Sequence, residues 1–293
     1  MSAARGFVLL AAFCYTWVMQ VILSDFIGYC GGVARAINLA NSTLSSSKGP
    51  VYSLGALIHN PDVCSLFSKK GLKIISSPIG QEVGTVVIRA HGVGDEIRQS
   101  FIDAGFAICD ATCPIVKRNI EMIRTLSSTH KIILVGDKDH DEMKAMSQVR
   151  NVPVIILEKA EDVSRLSYTE HYAVFVQTTF EIEPYQNICD VLVKKGYSVF
   201  FANAICPSSL KRRKAVLKLG RLCDAVIVVG GRNSANTNAL VNLLQCQKKK
   251  VWHIENEGGV TEEMRSYEKI GLAAGASTSR AVIDKVYHAL LGT

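Results

Sequence analysis

Three cysteines of this 293-residue chain share one local context. Cys30 stands in FIGYCGGVARAI, Cys113 in CDATCPIVKRNI and Cys206 in FANAICPSSLKRRKAV, each between a strand-like run and a helix-like run. A thiol at a helix start meets unpaired N–H groups and the positive end of the helix dipole, which stabilise its thiolate. Pro114 and Pro207 suit the first helical position, where a proline loses nothing by lacking an N–H. The three cysteines fall about 80 to 95 residues apart, the size of a small α/β unit. Three similar modules, each aiming one thiol from a strand-to-helix loop, follow from that spacing. Three converging thiolates would suit a metal: zinc with an open position, or a cubane iron-sulfur cluster with one iron left for a substrate. The long spacings count against structural zinc, but spacing alone does not choose. Cys14, Cys64, Cys109, Cys189, Cys223 and Cys246 lie on strand or helix patterns and read as small apolar filler.

The histidines repeat the logic. His59 in LGALIHNPDV, His91 in VVIRAHGVGDEI and His140 in LVGDKDHDEM each follow a strand pattern and precede a helix pattern. With thiolates available for a metal, these imidazoles are expected to donate hydrogen bonds to an anion. VVGGRNSANTNAL and LAAGASTSRAV place small residues and hydroxyls at helix starts, where backbone N–H groups face a phosphate. The bland alternative for Ser234 and Ser277 is simple N-capping. Glu142, two residues after His140, gains roughly 0.3 to 1 kcal/mol from the helix dipole even without doing chemistry. Beside a metal and a bound anion it becomes a proton donor. VQTTFEIEP adds Thr178 and Thr179 at another strand end, to relay a proton or to cap.

Something must hold these loops in place. The chain is 48% hydrophobic and 20% charged with no low-complexity linker, so it can bury a large core. PVYSLGAL, TVVIRA, GFAICD, KIILVGD, VPVIILE, YAVFVQ, GYSVFFAN, DAVIVVGG, KVWHIE and IGLAAG read as strands, most of them followed by a helix-like stretch. That alternation predicts an α/β fold with parallel sheets, in which ligands bind beyond the carboxyl ends of the strands. The expected modules are 31–113, 114–202, and 19–30 joined with 203–293. Residues 7–23, FVLLAAFCYTWVMQVIL, carry no charge. Their second half is expected to form a core strand, which leaves roughly a dozen apolar residues, too few to cross a bilayer. Met19 is the expected start, with 1–18 an extension.

Nine cysteines with no CxxC pair indicate a reducing compartment, so a cytoplasmic protein is expected. The net charge of +7 favours anionic partners. The basic runs 211–214 and 248–250 read as solvated faces, the first placed near Cys206 and suited to docking an acidic electron carrier. They are short and lack interleaved aromatics, so nucleic acid is not expected.

Taken in order, GYCGGVARAI, LIHN, RAHGV, DATCPIV, HDE, QTT, GGRNSANTNAL and AGAS resemble the hydroxymethylbutenyl diphosphate reductases of the non-mevalonate isoprenoid pathway. The resemblance runs from about Met19 to the C-terminus. It implies three α/β modules around one central 4Fe-4S cluster held by Cys30, Cys113 and Cys206, whose fourth iron takes the substrate's hydroxyl. It implies a diphosphate gripped by His59, His91, Ser234, Asn236 and Ser277, with His140 nearby, and protons delivered by Glu142 with Thr178. The implied reaction removes the allylic hydroxyl of 4-hydroxy-3-methylbut-2-enyl diphosphate, giving isopentenyl and dimethylallyl diphosphate. Electrons would come from a ferredoxin or flavodoxin, with no membrane and no nucleic acid involved. The sequence departs from the family's pattern at Ile27 (usually arginine), Asp141 (proline), Val176 (threonine), Ser209 (threonine) and Ala235 (serine). A lost neutral hydrogen bond costs about 0.5 to 1.5 kcal/mol, so Ala235 is expected to weaken diphosphate binding several-fold.

Overall fold

The computed structural model describes residues 19–58 and 60–293. Strand β1 (Gln20–Leu23) leads through a loop into helix α1 (Gly31–Ser46). A first sheet follows, from β2 (Val51–Leu54), β3 (Lys73–Ile75), β4 (Thr85–Ile88) and β5 (Ala107–Asp110), with α2 (Pro61–Lys69) and α3 (Asp95–Asp103) in the crossovers. Helix α4 (Pro114–Leu126) opens the second, built from β6 (Lys131–Val135), β7 (Val154–Leu157), β8 (His171–Val176) and β9 (Ser198–Phe201), with α5 (Asp141–Ser147) and α6 (Ile182–Lys194). Helix α7 (Pro207–Leu222) opens the third, which contains β10 (Ala225–Val229), β11 (Lys250–Ile254) and β12 (Lys269–Ala274). Its helices are α8 (Ala235–Cys246), the single turn α9 (Glu262–Arg265) and α10 (Arg280–Leu291).

The three sheets repeat one topology. Their strand orders are β3-β2-β4-β5, β7-β6-β8-β9 and β11-β10-β12-β1, with every pairing parallel. The third sheet obtains its fourth strand from the start of the chain: Gln20 to Leu23 pair with Lys269 to Leu272. The apolar stretch before Ser24 therefore ends inside the fold, as its β-branched residues suggest. The three-module α/β architecture expected from the alternating pattern is the one observed.

Helices cover both faces of each sheet, which is why the strands read as unbroken apolar runs rather than alternating ones. In the second sheet Ile133, Val135, Val174 and Val176 pack into one core, while Ile132, Leu134, Ala173 and Phe175 point to the opposite one. The third sheet divides likewise, Ile227, Val229, Ile270 and Leu272 against Val226, Val228 and Ala273. One strand escaped the sequence reading: β3 is three residues long, lies at a sheet edge and is largely exposed, so it carries no alternation to detect.

The basic run 211–214 is not a solvated face. Arg212 and Arg213 are buried in α7, and only Lys211 and Lys214 are exposed. Arg212 shares one helical stripe with Ala215, Val216 and Leu219, a spacing that was present in the sequence and that charge alone obscured. Among the described residues no helix is long and apolar enough to cross a membrane.

Candidate active site

All three sheets aim the same positions at one cavity of about 110 Å³. In an open parallel sheet the crevice lies beyond the strand carboxyl ends, where neighbouring connections leave in opposite directions. The loop after β4 brings His91 there, that after β6 brings His140 and Glu142, and that after β8 brings Thr178 and Thr179. The loop after β10 supplies Ser234 and Asn236, and that after β12 supplies Ser277. The connections leaving β1, β5 and β9 bring Cys30, Cys113 and Cys206. Of the residues singled out from sequence, His59 lies outside the described residues, as do residues 1–18; the others line this cavity.

Each cysteine is held by the same device. Cys30, Cys113 and Cys206 are the N-caps of α1, α4 and α7, with Pro114 and Pro207 at the first helical positions. The N–H of Cys30 donates to the Ala276 carbonyl, that of Cys113 to Ala90, and that of Cys206 to Thr178. Every thiol is thereby tied to the neighbouring strand-exit loop of its own sheet. A Cβ on Gly32 would stand 2.8 Å from the Cys113 sulfur and 3.9 Å from the Cys30 sulfur, so glycine leaves the room in which these thiols approach each other. Burial pushes the Cys113 thiol above its ordinary value; the N–H groups of Ile115 and Val116 pull it back, and Cys30 and Cys206 raise it further. Desolvation thus outweighs the helix N-terminus at Cys113. Among the described residues no three His, Cys, Asp or Glu side chains gather tightly enough to hold a single metal ion.

Glu142 is 2% exposed. Its Oε1 accepts from the Thr178 N–H at 2.8 Å and its Oε2 from the Thr178 hydroxyl at 2.6 Å. Burial raises its pKa from 4.5 to about 7 although both hydrogen bonds favour the carboxylate. When the carboxyl takes up its proton it can donate to Thr178 Oγ1, which turns the threonine's own proton toward the cavity. His140 caps α5, its Nδ1 accepting from the Glu142 N–H at 3.2 Å, so the ring proton sits on Nε2. The His91 and His140 rings meet edge to face with centroids 5.5 Å apart.

On the third sheet, Ser234 caps α8 by accepting from the Thr237 N–H, which leaves its hydroxyl proton to give elsewhere. Asn236 keeps a buried Nδ2 that has no hydrogen-bond partner among the described residues. Ser277 is not the cap of α10; Ser279 fills that role, and the Ser277 carbonyl accepts from Asn60 Nδ2 across the sheets. The capping alternative is therefore correct for Ser234 and incorrect for Ser277.

Sequence reasoning missed the two arginines that brace these loops. Arg212 donates to the carbonyls of Phe26, Gly28 and Ala274, fixing the approach to Cys30 and the start of the Ser277 loop. Arg213 donates to Thr179 and Phe180, fixing the turn after Thr178. Two departures from the expected pattern are removed from the cavity: Val176 ends β8 inside the hydrophobic core, and Ile27 packs on the core of the third sheet. Ala235 and Ser209 do line it.

Three parallel-sheet modules, each presenting one thiol to a shared cavity that also holds the buried Glu142 carboxyl, define a three-module α/β protein with one site common to all three modules. Residues 21–291 match the LytB protein family model, and the chain belongs to that family. Among its relatives is the 4-hydroxy-3-methylbut-2-enyl diphosphate reductase of Dictyoglomus turgidum, 32% identical over 92% of this chain and 95% of the relative. The enzyme of the same name from Treponema denticola is 33% identical over 93% of this chain and 99% of its own. The E-1-hydroxy-2-methyl-but-2-enyl-4-diphosphate reductase structure from Plasmodium falciparum superposes with a TM-score of 0.84 at 26% identity, covering 92% of this chain and 87% of that one. A solved (E)-4-hydroxy-3-methyl-but-2-enyl diphosphate reductase, the terminal enzyme of the non-mevalonate pathway, gives 0.71 at 30% identity over 94% of this chain and 100% of that one.

Proposed function

We propose that this chain is an oxidoreductase that removes the allylic hydroxyl of 4-hydroxy-3-methylbut-2-enyl diphosphate, the last step of the non-mevalonate isoprenoid pathway. Two electrons and two protons enter, water leaves, and the products are isopentenyl and dimethylallyl diphosphate. The observation that carries this reading is the arrival of three N-capping thiols, a buried neutral-range carboxyl and two anion-type loops at one cavity.

The donor set fits one 4Fe-4S cluster held by Cys30, Cys113 and Cys206. Three thiols at one cavity, each at the start of a helix and each from a different sheet, suit such a cluster with one iron left for a substrate. Such a cluster would supply the electrons and a Lewis-acidic iron at its uncoordinated corner. The protein does the rest. His91, Ser234, Asn236 and Ser277, with His59 and His140, anchor the diphosphate, and the buried Asn236 Nδ2, without a hydrogen-bond partner among the described residues, is a donor suited to it. Anchoring at one end fixes the five-carbon chain over the reacting end, replacing a bimolecular encounter by a held geometry. Glu142 gives its proton to the departing oxygen and Thr178 passes or receives it, a role that requires a carboxyl protonated near neutral pH.

The electron donor is an acidic one-electron carrier of the ferredoxin or flavodoxin kind. Lys211, Lys214, Lys218 and Arg221 form an exposed basic stripe along α7, whose N-cap is Cys206. A stripe of this sign speeds encounter with an acidic surface and falls off with salt. The free thiols accord with a reducing, cytoplasmic setting, and the modules divide at 31–113, 114–202 and 19–30 with 203–293. Anaerobic purification should give brown protein with near-stoichiometric iron and sulfide that converts the substrate when supplied with reduced methyl viologen. Colourless active protein, or a cluster-loaded protein yielding no product, refutes the proposal.

A further inference from the structure

A continuous seam joins the first sheet to the second beside the cavity. The segment after β4 runs along α5: Arg89 Nη1 lies 2.7 Å from Asp141 Oδ2, and the His91 ring meets that of His140. Farther on, a Cβ on Gly92 would touch Ala145 at 3.4 Å, and the Asp95 N–H donates to the Gln148 carbonyl. The ion pair flanks the contact between His91 and His140, whose side chains line the cavity. It also engages a third loop, because a Cβ on Gly55, at φ +76°, would stand 3.0 Å from Arg89 Nη1. Bare backbone is what lets the guanidinium lie there.

Asp141 sits between His140 and Glu142, both of which line the cavity. Its carboxylate suits the first turn of α5 and opposes an anion bound beside that turn. At 18% exposure water screens it poorly. A neutral residue at this position would need no counter-charge. The geometry points to Arg89 as a positioning residue for the diphosphate: it cancels the Asp141 charge beside the His140 and Glu142 side chains that line the cavity. This rests on the reading of His91 and His140 as anion anchors.

Binding of inorganic pyrophosphate to the anaerobic, cluster-loaded protein, measured by calorimetry, tests it, together with KM and kcat under reduced viologen. Arg89→Met should weaken pyrophosphate at least about fivefold and raise KM while kcat stays within about twofold. Adding Asp141→Asn to that variant should return binding to within about twofold of wild type, and Arg89→Lys should preserve it. Asp141→Asn alone keeps the arginine and should bind pyrophosphate no more weakly than wild type. A double variant as weak as Arg89→Met, or weakened binding by Asp141→Asn alone, overturns the charge argument. Wild-type protein that does not bind pyrophosphate sinks it with the anchor reading, whereas binding with the predicted variant pattern but no product supports it and refutes only the reaction.

Discussion

Replacing Glu142 by glutamine removes a proton and almost nothing else. The glutamine carbonyl can keep the Thr178 N–H bond, and its amide can donate to Thr178 Oγ1, which accepts as readily as it donates. Fold and pyrophosphate affinity should survive, while kcat under reduced viologen should fall about a hundred- to ten-thousandfold, the usual worth of a positioned general acid. Because burial holds the carboxyl at about 7, wild-type kcat should fall roughly tenfold per pH unit above that value as the acid form is lost. Stability gives an independent check. The folded state keeps this proton up to about pH 7, whereas the unfolded chain releases it near 4.5. Across that window the folded state binds more protons, so stability falls as pH rises, by about 3 kcal/mol in all. The glutamine variant bears no such cost, and its stability relative to wild type should rise by that amount between pH 4.5 and about 8, read by urea denaturation at each pH. A variant within tenfold of wild-type kcat refutes the proton-donor role. A stability difference that does not move with pH refutes the buried neutral acid.

Other consequences follow from the same geometry. Cys206→Ala should lower iron and sulfide content sharply while leaving the far-ultraviolet circular dichroism unchanged, since the residue caps a helix without carrying a core. Gly32→Ala places a methyl 2.8 Å from the Cys113 sulfur and should likewise reduce iron content, a result that unchanged iron would contradict. Arg212→Met leaves two buried carbonyls, of Gly28 and Ala274, and the part-buried one of Phe26 without their charged donor and should cost about 2 to 4 kcal/mol in urea unfolding. Lys211→Glu with Lys214→Glu should raise KM for an acidic carrier protein at low salt while the rate with reduced viologen stays constant; equal loss with both donors would place the effect elsewhere.

Several features were legible in the primary structure because they are local. Proline after Cys113 and Cys206, the small residues and hydroxyls that precede the last helices, and the apolar strand runs each declare themselves within a dozen residues, and each lies at the strand or helix boundary expected of it. Arg212 was legible in principle, through its place on the apolar stripe of α7, but the neighbouring charges masked it. The strand β3 was not, since three exposed residues carry no period.

The order of residues by itself determined the three-module α/β plan and the placement of Cys30, Cys113, Cys206, His91, His140 and Glu142 beyond its strand ends. Only the tertiary structure decided which loops meet: that Thr178 faces Glu142 from 36 positions away, that Arg89 pairs with Asp141, and that Arg212 ties three carbonyls from two distant segments. The reason is physical. A strand or a cap is fixed by neighbours along the chain, whereas a buried carboxyl near pH 7 exists only once separate segments have excluded water from it together.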